Sequence, residues 1–516
     1  MSGSRKQRRK SGKIKVDLAE LESIIAATPD RVLTKEEHKK LQDAHQLLAH
    51  YALPPFQNDE SAAKILNDIA KETGADEGKP GKGGTGRRPR GAFTNAKVIE
   101  VRHQEMQPGQ ACKCGCGKLY LKKRRIHFRH FTGQAAIEVT LYEQEQLRCN
   151  SCGALHTAPL PPGVGPDSYD PSAKSIIALG KYSLGTPFYR QALQFTTMGT
   201  PISASVLYAA VASAVPLLQP AHDHMVQLAA EGKIGIFDDT HMPILKFERD
   251  PDDDRTGLHT TGIVSLHDDF QLALFMTGRQ HAGENRADLL KKRPPDLPGM
   301  IQMSDALSSN FAYISSEELI ALCLAHGRRN FVKIVDSFPE ECRVVIRAIA
   351  SVYHHDALSQ REKHTPEERL AFHNEMSRPI MDDLKKWLDE QITEKKTEPN
   401  SSLGKAIQYM RNHWGPLTLF LQVAGAPLDS NAVERILKKV VLHRKNSLFY
   451  RTAKGAKVGD VYMTLIVTCQ LNKVNPHEYL TALQRNHEGV KAAPGDWMPW
   501  TFKDTLASIR GSTIAA

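Results

Sequence analysis

The chain has 516 residues, of which 41% are hydrophobic and 24% charged, and it carries a net charge of +10. This composition is typical of an ordinary soluble globular protein, and the length allows about three domains. The basic start is not followed by the apolar segment of a secretory signal. The apolar stretch SVLYAAVASAVPLL is interrupted by Pro216 and is shorter than the roughly 20 residues of a membrane helix. We therefore expect a cytoplasmic protein with reduced cysteines.

The N-terminal region, residues 1–73, is predicted to be helical, with a strongly basic start. Seven of its first fifteen residues are Lys or Arg and none is acidic. Such a tail either contacts a polyanion or is merely solvated. Apolar residues then recur at three- and four-residue spacing, which predicts a helical hairpin for DNA binding or oligomerisation, or a plain scaffold pair.

Residues 74–95 are predicted to be a flexible basic linker, because they are rich in glycine and lysine. The segment GRRPRG places Arg87, Arg88 and Arg90 around a proline. A proline-stiffened arginine cluster suits the minor groove of DNA, although similar strings occur in inert linkers.

Residues 96–162 are predicted to form a small zinc-binding β module. Two cysteine clusters, CKCGCG and CNSCG, flank the alternating run AAIEVTLYEQEQLRC, which predicts a strand or hairpin. Zinc takes four tetrahedral ligands, and paired cysteine knuckles supply them. Five cysteines compete for the four places: Cys112, Cys114, Cys116, Cys149 and Cys152. A redox pair at Cys149 and Cys152 is the alternative.

The rest of the chain is predicted to contain a helical domain at 163–231, a catalytic domain at 232–458 and a helical C-terminal region at 459–516. Strand patterns begin near Lys233, and a polar helical insertion at about 340–415 interrupts the catalytic domain. The scattered Cys323, Cys342 and Cys469 lie in apolar surroundings and are expected in the core.

Three acidic residues end or follow separate apolar elements: Asp238, Asp305 and Glu434. Each also has a structural interpretation. Asp239 points to the opposite face of its strand from Asp238, so one of the two can be merely solvated. Asp305 can cap the next element, and Asn431 with Glu434 has the spacing of a capping box.

The order of these elements agrees with a ribonuclease-H-like α/β core. There, the first strand of a meander carries an aspartate, the fourth strand ends on another, and a later helix supplies a third acid. Carboxylates are the ligands of Mg²⁺ or Mn²⁺, and a two-metal site would activate a water or a DNA 3′-hydroxyl. Arg328, Arg329, Arg444 and Lys445 flank the acids in sequence and are candidates to hold phosphates, or ordinary surface cations.

From the cysteine clusters to near the C-terminus, the chain resembles the transposases of the insertion sequence 66 family. The similarity is most specific in PLDSNAVERILKKVVLHRKNSLFY, and IFDDTHMPIL, QMSDALSSN, YSLGTPFYRQ and LCLAHGRRNF also match family blocks. The resemblance implies a DDE-type recombinase in which Asp238, Asp305 and Glu434 are catalytic. Asp239, His241, Ser430 and His443 depart from the family pattern without removing an implied metal ligand.

The resemblance therefore implies cleavage and strand transfer at the ends of a mobile element in a bacterial cytosol. It also implies double-stranded DNA as partner, a homo-oligomer that joins two ends, and accessory proteins of the same element. The alternative is a non-catalytic zinc-containing DNA-binding regulator derived from a transposase, and a nuclease that cuts without strand transfer is a third hypothesis.

Overall fold

The structure is a computed structural model, and the chain divides into two compact units, residues 1–134 and 135–516. The residues described are 106–111, 117–120, 135–148, 155–162, 164–165, 167–247, 257–306 and 318–514. The predicted N-terminal helices, the linker arginines Arg87, Arg88 and Arg90, and all five candidate zinc cysteines lie outside these residues.

A short antiparallel pair begins the described part of the second unit. Strand β1, Gln146–Arg148, pairs with β2, Leu155–Thr157. The alternating run predicts a longer strand, but residues 135–145 are not a strand. Most of the apolar side chains in that run, such as Val139 and Leu141, are exposed, so alternation there does not correspond to a buried face.

Three helices lead into the central sheet: α1, Pro171–Tyr182; α2, Phe188–Thr197; and α3, Ala204–Glu231. In agreement with the helical spacing of the sequence, α3 continues through Pro216 and Pro220. An internal proline removes one helical hydrogen bond, and the burial of Leu207, Leu218 and Met225 along α3 offsets this cost.

By length and composition, α3 is the one helix among the described residues that could cross a membrane. It packs instead against α1, α2 and other helices of the same unit, and its buried residues belong to the hydrophobic core.

The central sheet has five strands in the order β6-β5-β3-β7-β8. They are β3, Ile234–His241; β5, His259–Leu266; β6, Gln271–Gly278; β7, Ile301–Ser304; and β8, Leu319–Leu322. β3, β5 and β6 are antiparallel neighbours, whereas β7 and β8 run parallel to β3. The mixed α/β fold, the hairpin and the strand before Asp305 therefore agree with the sequence predictions.

Two further strands form a separate two-stranded sheet, and one helix connects two strands of the central sheet. β4, Ile244–Lys246, pairs in parallel with β9, Tyr450–Thr452, far along the chain. Helix α4, Ala282–Leu290, connects β6 to β7. The β4–β9 pair was not predicted, because three-residue strands leave little periodicity.

The insertion is helical, as predicted, and the C-terminal region is helical too. The elements between β8 and β9 are α5, Leu324–Val332; α6, Pro339–Glu362; α7, Pro366–Met376; α8, Arg378–Thr393; α9, Ser402–Asn412; α10, Trp414–Leu417; a 3₁₀ turn, Leu419–Leu421; and α11, Asn431–Ser447. Those after β9 are α12, Ala453–Leu471; α13, Pro476–Arg485; α14, His487–Ala492; a 3₁₀ turn, Pro494–Trp497; and α15, Phe502–Ile514. Cys323, Cys342 and Cys469 are buried, as expected.

Helix α12 covers the outer edge of strand β6. The backbone N–H groups of Ala273, Phe275 and Thr277 donate to side-chain oxygens of Thr468, Thr464 and Asp460 at 3.1, 3.2 and 2.9 Å. Alternate residues of strand β6 are thus hydrogen-bonded to residues that are spaced four apart on helix α12. A sheet edge with unpaired N–H groups is prone to aggregation, and this helix satisfies three of them.

Asp460 gives a pH-dependent contribution to stability, because burial raises its pKa to about 7. A raised carboxyl pKa means that the folded state binds the proton more tightly, so stability falls as pH rises from about 4 to 7 and stays lower above that. We expect Asp460→Asn to stabilise the protein by about 2–4 kcal/mol at pH 8 and hardly at pH 4. Denaturant unfolding at the two pH values measures this, and a pH-independent difference would contradict it.

Candidate active site

Asp238 lies within strand β3, and Asp305 directly follows the neighbouring parallel strand β7. Ile236 of β3 is paired with Met303 of β7. Asp238 lies two residues beyond Ile236 and Asp305 two residues beyond Met303, and the Asp305 carboxylate acts on the pKa of Asp238. Asp238 is thus placed by a strand whose β-branched and aromatic residues are buried, and Asp305 follows the fully buried Ile301–Ser304.

Glu434 lies in the first turn of helix α11, which packs on β3 and β5. Gly262, directly opposite Asp238 in the antiparallel pair, makes this close approach possible. A Cβ atom at Gly262 would lie 2.8 Å from Leu437 Cδ2 and 3.3 Å from Val433 Cγ2. Since opposed residues of an antiparallel pair share a face, α11 covers the face to which Asp238 points.

The three carboxyl groups influence each other electrostatically. Burial, together with the carboxylates of Asp305, Asp239 and Glu434, raises the pKa of Asp238 to about 7 against the opposing effect of a backbone hydrogen bond. Burial also raises the pKa of Glu434, with Asp429 and Asp305 adding to the shift and Arg329 opposing it. The three predicted acids are therefore near enough to interact electrostatically, but they are not a set whose ligand atoms all lie within 4.8 Å of one another. We refer to these three side chains below as the acid cluster.

Cationic and imidazole groups surround Glu434. Arg329 Nη2 and His326 Nε2 lie 3.7 and 3.8 Å from Glu434 Oε1. Burial, with Arg329 and Lys333 nearby, lowers the pKa of His326 to about 4, so at neutral pH this imidazole is neutral and no ion pair forms with it. Of the predicted phosphate contacts, Arg329 is therefore the one held against a cluster acid.

The other three predicted phosphate contacts occupy different positions. Arg444 Nη1 donates to Thr240 Oγ1 at 3.1 Å and to the carbonyl oxygen of His241, so it ties α11 to the end of β3. Arg328 is partly exposed on α5, and Lys445 is exposed on α11.

The structure contradicts two of the purely structural interpretations of the acids. Helix α11 has Ser430 as its N-cap without a side-chain cap hydrogen bond, so Asn431 and Glu434 do not form a capping box. Asn431 bonds Asp429 instead. Asp239 is not solvated either, because its side chain is only 15% exposed and contacts two histidines.

Asp239, His259 and His281 form a second cluster, whose ligand atoms all lie within 4.8 Å of one another. His281 Nδ1 lies 3.0 Å from Asp239 Oδ2, and His259 Nδ1 lies 3.8 Å from Asp239 Oδ1. Sequence reasoning missed both histidines. No local spacing connects them, since their meeting depends on the β3–β5 register and on where α4 begins.

Comparison with known proteins identifies the family. Residues 167–458, more than half of the chain, match the family model described as Transposase IS66 family. The chain belongs to the IS66 transposase family. The matched region runs from just before α1 to α12 and includes all three acids.

Several relatives of this IS66-family chain come from Sinorhizobium fredii. "Uncharacterized protein y4hP" is 27% identical over 441 residues, which cover 80% of this chain and 76% of the relative. "Uncharacterized protein y4jD" is 26% identical over 408 residues, or 76% and 78% of the two chains. The predicted family is thus confirmed. Membership gives the chain a transposase-related function, which implies DNA binding.

Proposed function

We propose that this protein is a DNA transposase that binds the ends of its element, cuts the DNA and transfers the strand to a target. The observation that carries the proposal is the mutual electrostatic influence of Asp238, Asp305 and Glu434 in an IS66-family chain. Buried acids with raised pKa values that repel each other destabilise a fold, and they are typical of functional sites.

The proposed core is ribonuclease-H-like. Its support is the five-stranded order β6-β5-β3-β7-β8, in which an antiparallel meander is followed by two parallel strands. The acids occur on the first strand, after the strand that pairs with it in parallel, and on a helix beyond the insertion. This is the order that the sequence predicts for such a core.

The donor set fits Mg²⁺ or Mn²⁺, because these ions prefer carboxylate oxygens. Burial and mutual repulsion destabilise the charged form of Asp238 and Glu434, and a divalent cation would reverse that penalty. Two such ions would activate a water or a DNA 3′-hydroxyl and stabilise the leaving oxygen of an in-line displacement.

The chain's own residues would hold that arrangement rigid. Gly262 lets α11 lie directly on the sheet, and Arg444 ties this helix to the end of β3. Arg329 opposes the charge of Glu434 and would orient a phosphate beside it. Arg328 and Lys445 are proposed to contact the DNA backbone further out, where partly and fully exposed cations suit phosphates.

The N-terminal part is proposed to recognise the element ends. The basic tail, Arg87, Arg88 and Arg90, and a zinc module built from four of the five clustered cysteines support this proposal by sequence alone. Pairing two ends requires a homo-oligomer. Such a protein would act in the bacterial cytosol.

A magnesium-dependent assay on DNA carrying the element's inverted-repeat ends tests the proposal. Joining of a cut end to a target duplex is the expected result. Cutting without joining would point to a nuclease, and binding without cutting would point to a non-catalytic regulator. Either outcome would overturn the proposal.

A further inference from the structure

We propose that Asp239, His259 and His281 form a second metal site, which binds zinc or a similar imidazole-preferring divalent ion on the opposite face of strand β3 from the acid cluster. The side chains of successive strand residues point to opposite faces of the sheet, so Asp238 and Asp239 have different neighbours. The three ligand atoms lie within 4.8 Å of one another.

Their spacing suits a single ion. Zinc binds nitrogen and oxygen ligands at about 2.0–2.2 Å, which places two tetrahedral ligands about 3.4 Å apart. The separations are 3.0 Å from Asp239 Oδ2 to His281 Nδ1 and 3.8 Å from Asp239 Oδ1 to His259 Nδ1, on either side of that value. The rings of His259 and His281 lie next to each other, with centroids 4.1 Å apart and a tilt of 41°.

An unpartnered buried atom gives independent support. His259 Nδ1 is buried without a hydrogen-bond partner and faces Asp239 Oδ1 from beyond hydrogen-bond range. A buried polar atom left unsatisfied costs about 1–3 kcal/mol, and a bound cation would remove that cost.

An Asp–His hydrogen bond without a metal ion explains fewer of these contacts than the proposed metal site does. It accounts for His281 and for the backbone N–H of Ala282, which donates to Asp239 Oδ2 at 3.2 Å. It leaves His259 without a role, although both its nitrogen and its ring face the pair. Two imidazoles in the set favour zinc over magnesium, which prefers oxygen ligands.

The proposed ion would join three elements: the end of β3, the start of β5 and the N-terminus of α4. Asp239 directly follows Asp238 in the chain, so the ion would fix the strand end on which Asp238 lies. The fourth ligand would be water, because the site is partly open, with His281 34% exposed. Its role is structural support of the neighbouring acid cluster.

Zinc content of the full-length protein tests the site without DNA or catalysis. After removal of metal by a chelator and reloading with Zn²⁺, we expect Asp239→Asn, His259→Ala and His281→Ala each to bind one zinc ion fewer than the natural chain. Each should also lose the rise in Tm that zinc produces in the natural chain. Subtracting the zinc content of each variant from that of the natural chain cancels any zinc held by the cysteines.

His222→Ala is a matched control, since His222 Nδ1 lies 3.3 Å from Asp223 and the described part of the chain places no third metal-ligating side chain beside this pair. This variant should bind as much zinc as the natural chain. Unchanged zinc content in all three site variants would overturn the proposal. So would a His281→Ala variant that loses stability equally with and without zinc, because His281 would then only hydrogen-bond Asp239.

A second measurement needs no variant. Diethylpyrocarbonate modifies accessible neutral imidazoles, and mass spectrometry locates the modified residues. Zn²⁺, but not Mg²⁺, should protect His259 and His281 in the natural chain while leaving His222 reactive. Equal modification of His259 and His281 with and without zinc would contradict the site.

Discussion

Replacement of Asp305 by asparagine is expected to reduce magnesium-dependent cleavage and strand transfer by at least about 1,000-fold. The amide keeps the shape of the side chain but removes the charge that a divalent ion requires. Asp238→Asn and Glu434→Gln should give losses of similar size. Because the three groups act as one unit, the double variants should lose little more than the single ones. Single-turnover assays on element-end DNA measure the effect.

The same variants separate catalysis from folding. Burial and neighbouring acids raise the pKa of Asp238 to about 7, so its charge destabilises the metal-free protein at pH 8. Asp238→Asn should therefore lose activity while its metal-free Tm at pH 8 stays equal or rises. An activity loss explained by unfolding would show the opposite change in Tm.

Asp268→Asn is the matched control for these substitutions. Asp268 is an exposed carboxylate at the opposite end of the sheet, and Lys233 lies 2.7 Å away. The control should keep cleavage and strand transfer. If Asp305→Asn retained strand transfer within about tenfold of the natural chain, the proposed metal assignment would be wrong.

The second large effect is expected at Gly262, where a side chain would push α11 away from the sheet. A Cβ atom there already lies 2.8 Å from Leu437 Cδ2, and the extra methyl groups of valine would have no room. We expect Gly262→Val to cost about 1–3 kcal/mol of stability through overpacking. A shift of Glu434 by about 1 Å should reduce cleavage about 100-fold. Denaturant unfolding and the cleavage assay measure the two effects.

Two controls test whether the loss of space between Gly262 and α11 causes these effects. Gly278 ends strand β6 and has nothing within 4 Å of its Cβ position, so Gly278→Val should change neither property much. The smaller Gly262→Ala change should be partly rescued by Leu437→Ala, because removing the Leu437 side chain creates the missing space. A Gly262→Val protein with unchanged activity would show that Gly262 does not position α11.

The sequence alone determined which segments become strands and helices around the site. Examples are the hairpin of β5 and β6, the strand before Asp305 and the helix with Glu434. The apolar periodicity and the boundary residues of each element lie within one continuous segment of the sequence. The same information predicted three acids at the ends of such elements and the family to which the chain belongs. It failed for residues 135–145, where alternation occurs without burial.

Only the tertiary structure decided which side chains meet. Alternation separates Asp238 from Asp239, but the β3–β5 register is what places His259 beside Asp239, and the start of α4 is what adds His281. The threonines that cover the edge of β6 and the β4–β9 pair likewise depend on partners far along the chain. Contacts of this kind arise from packing between distant segments, and no local pattern within one segment encodes them.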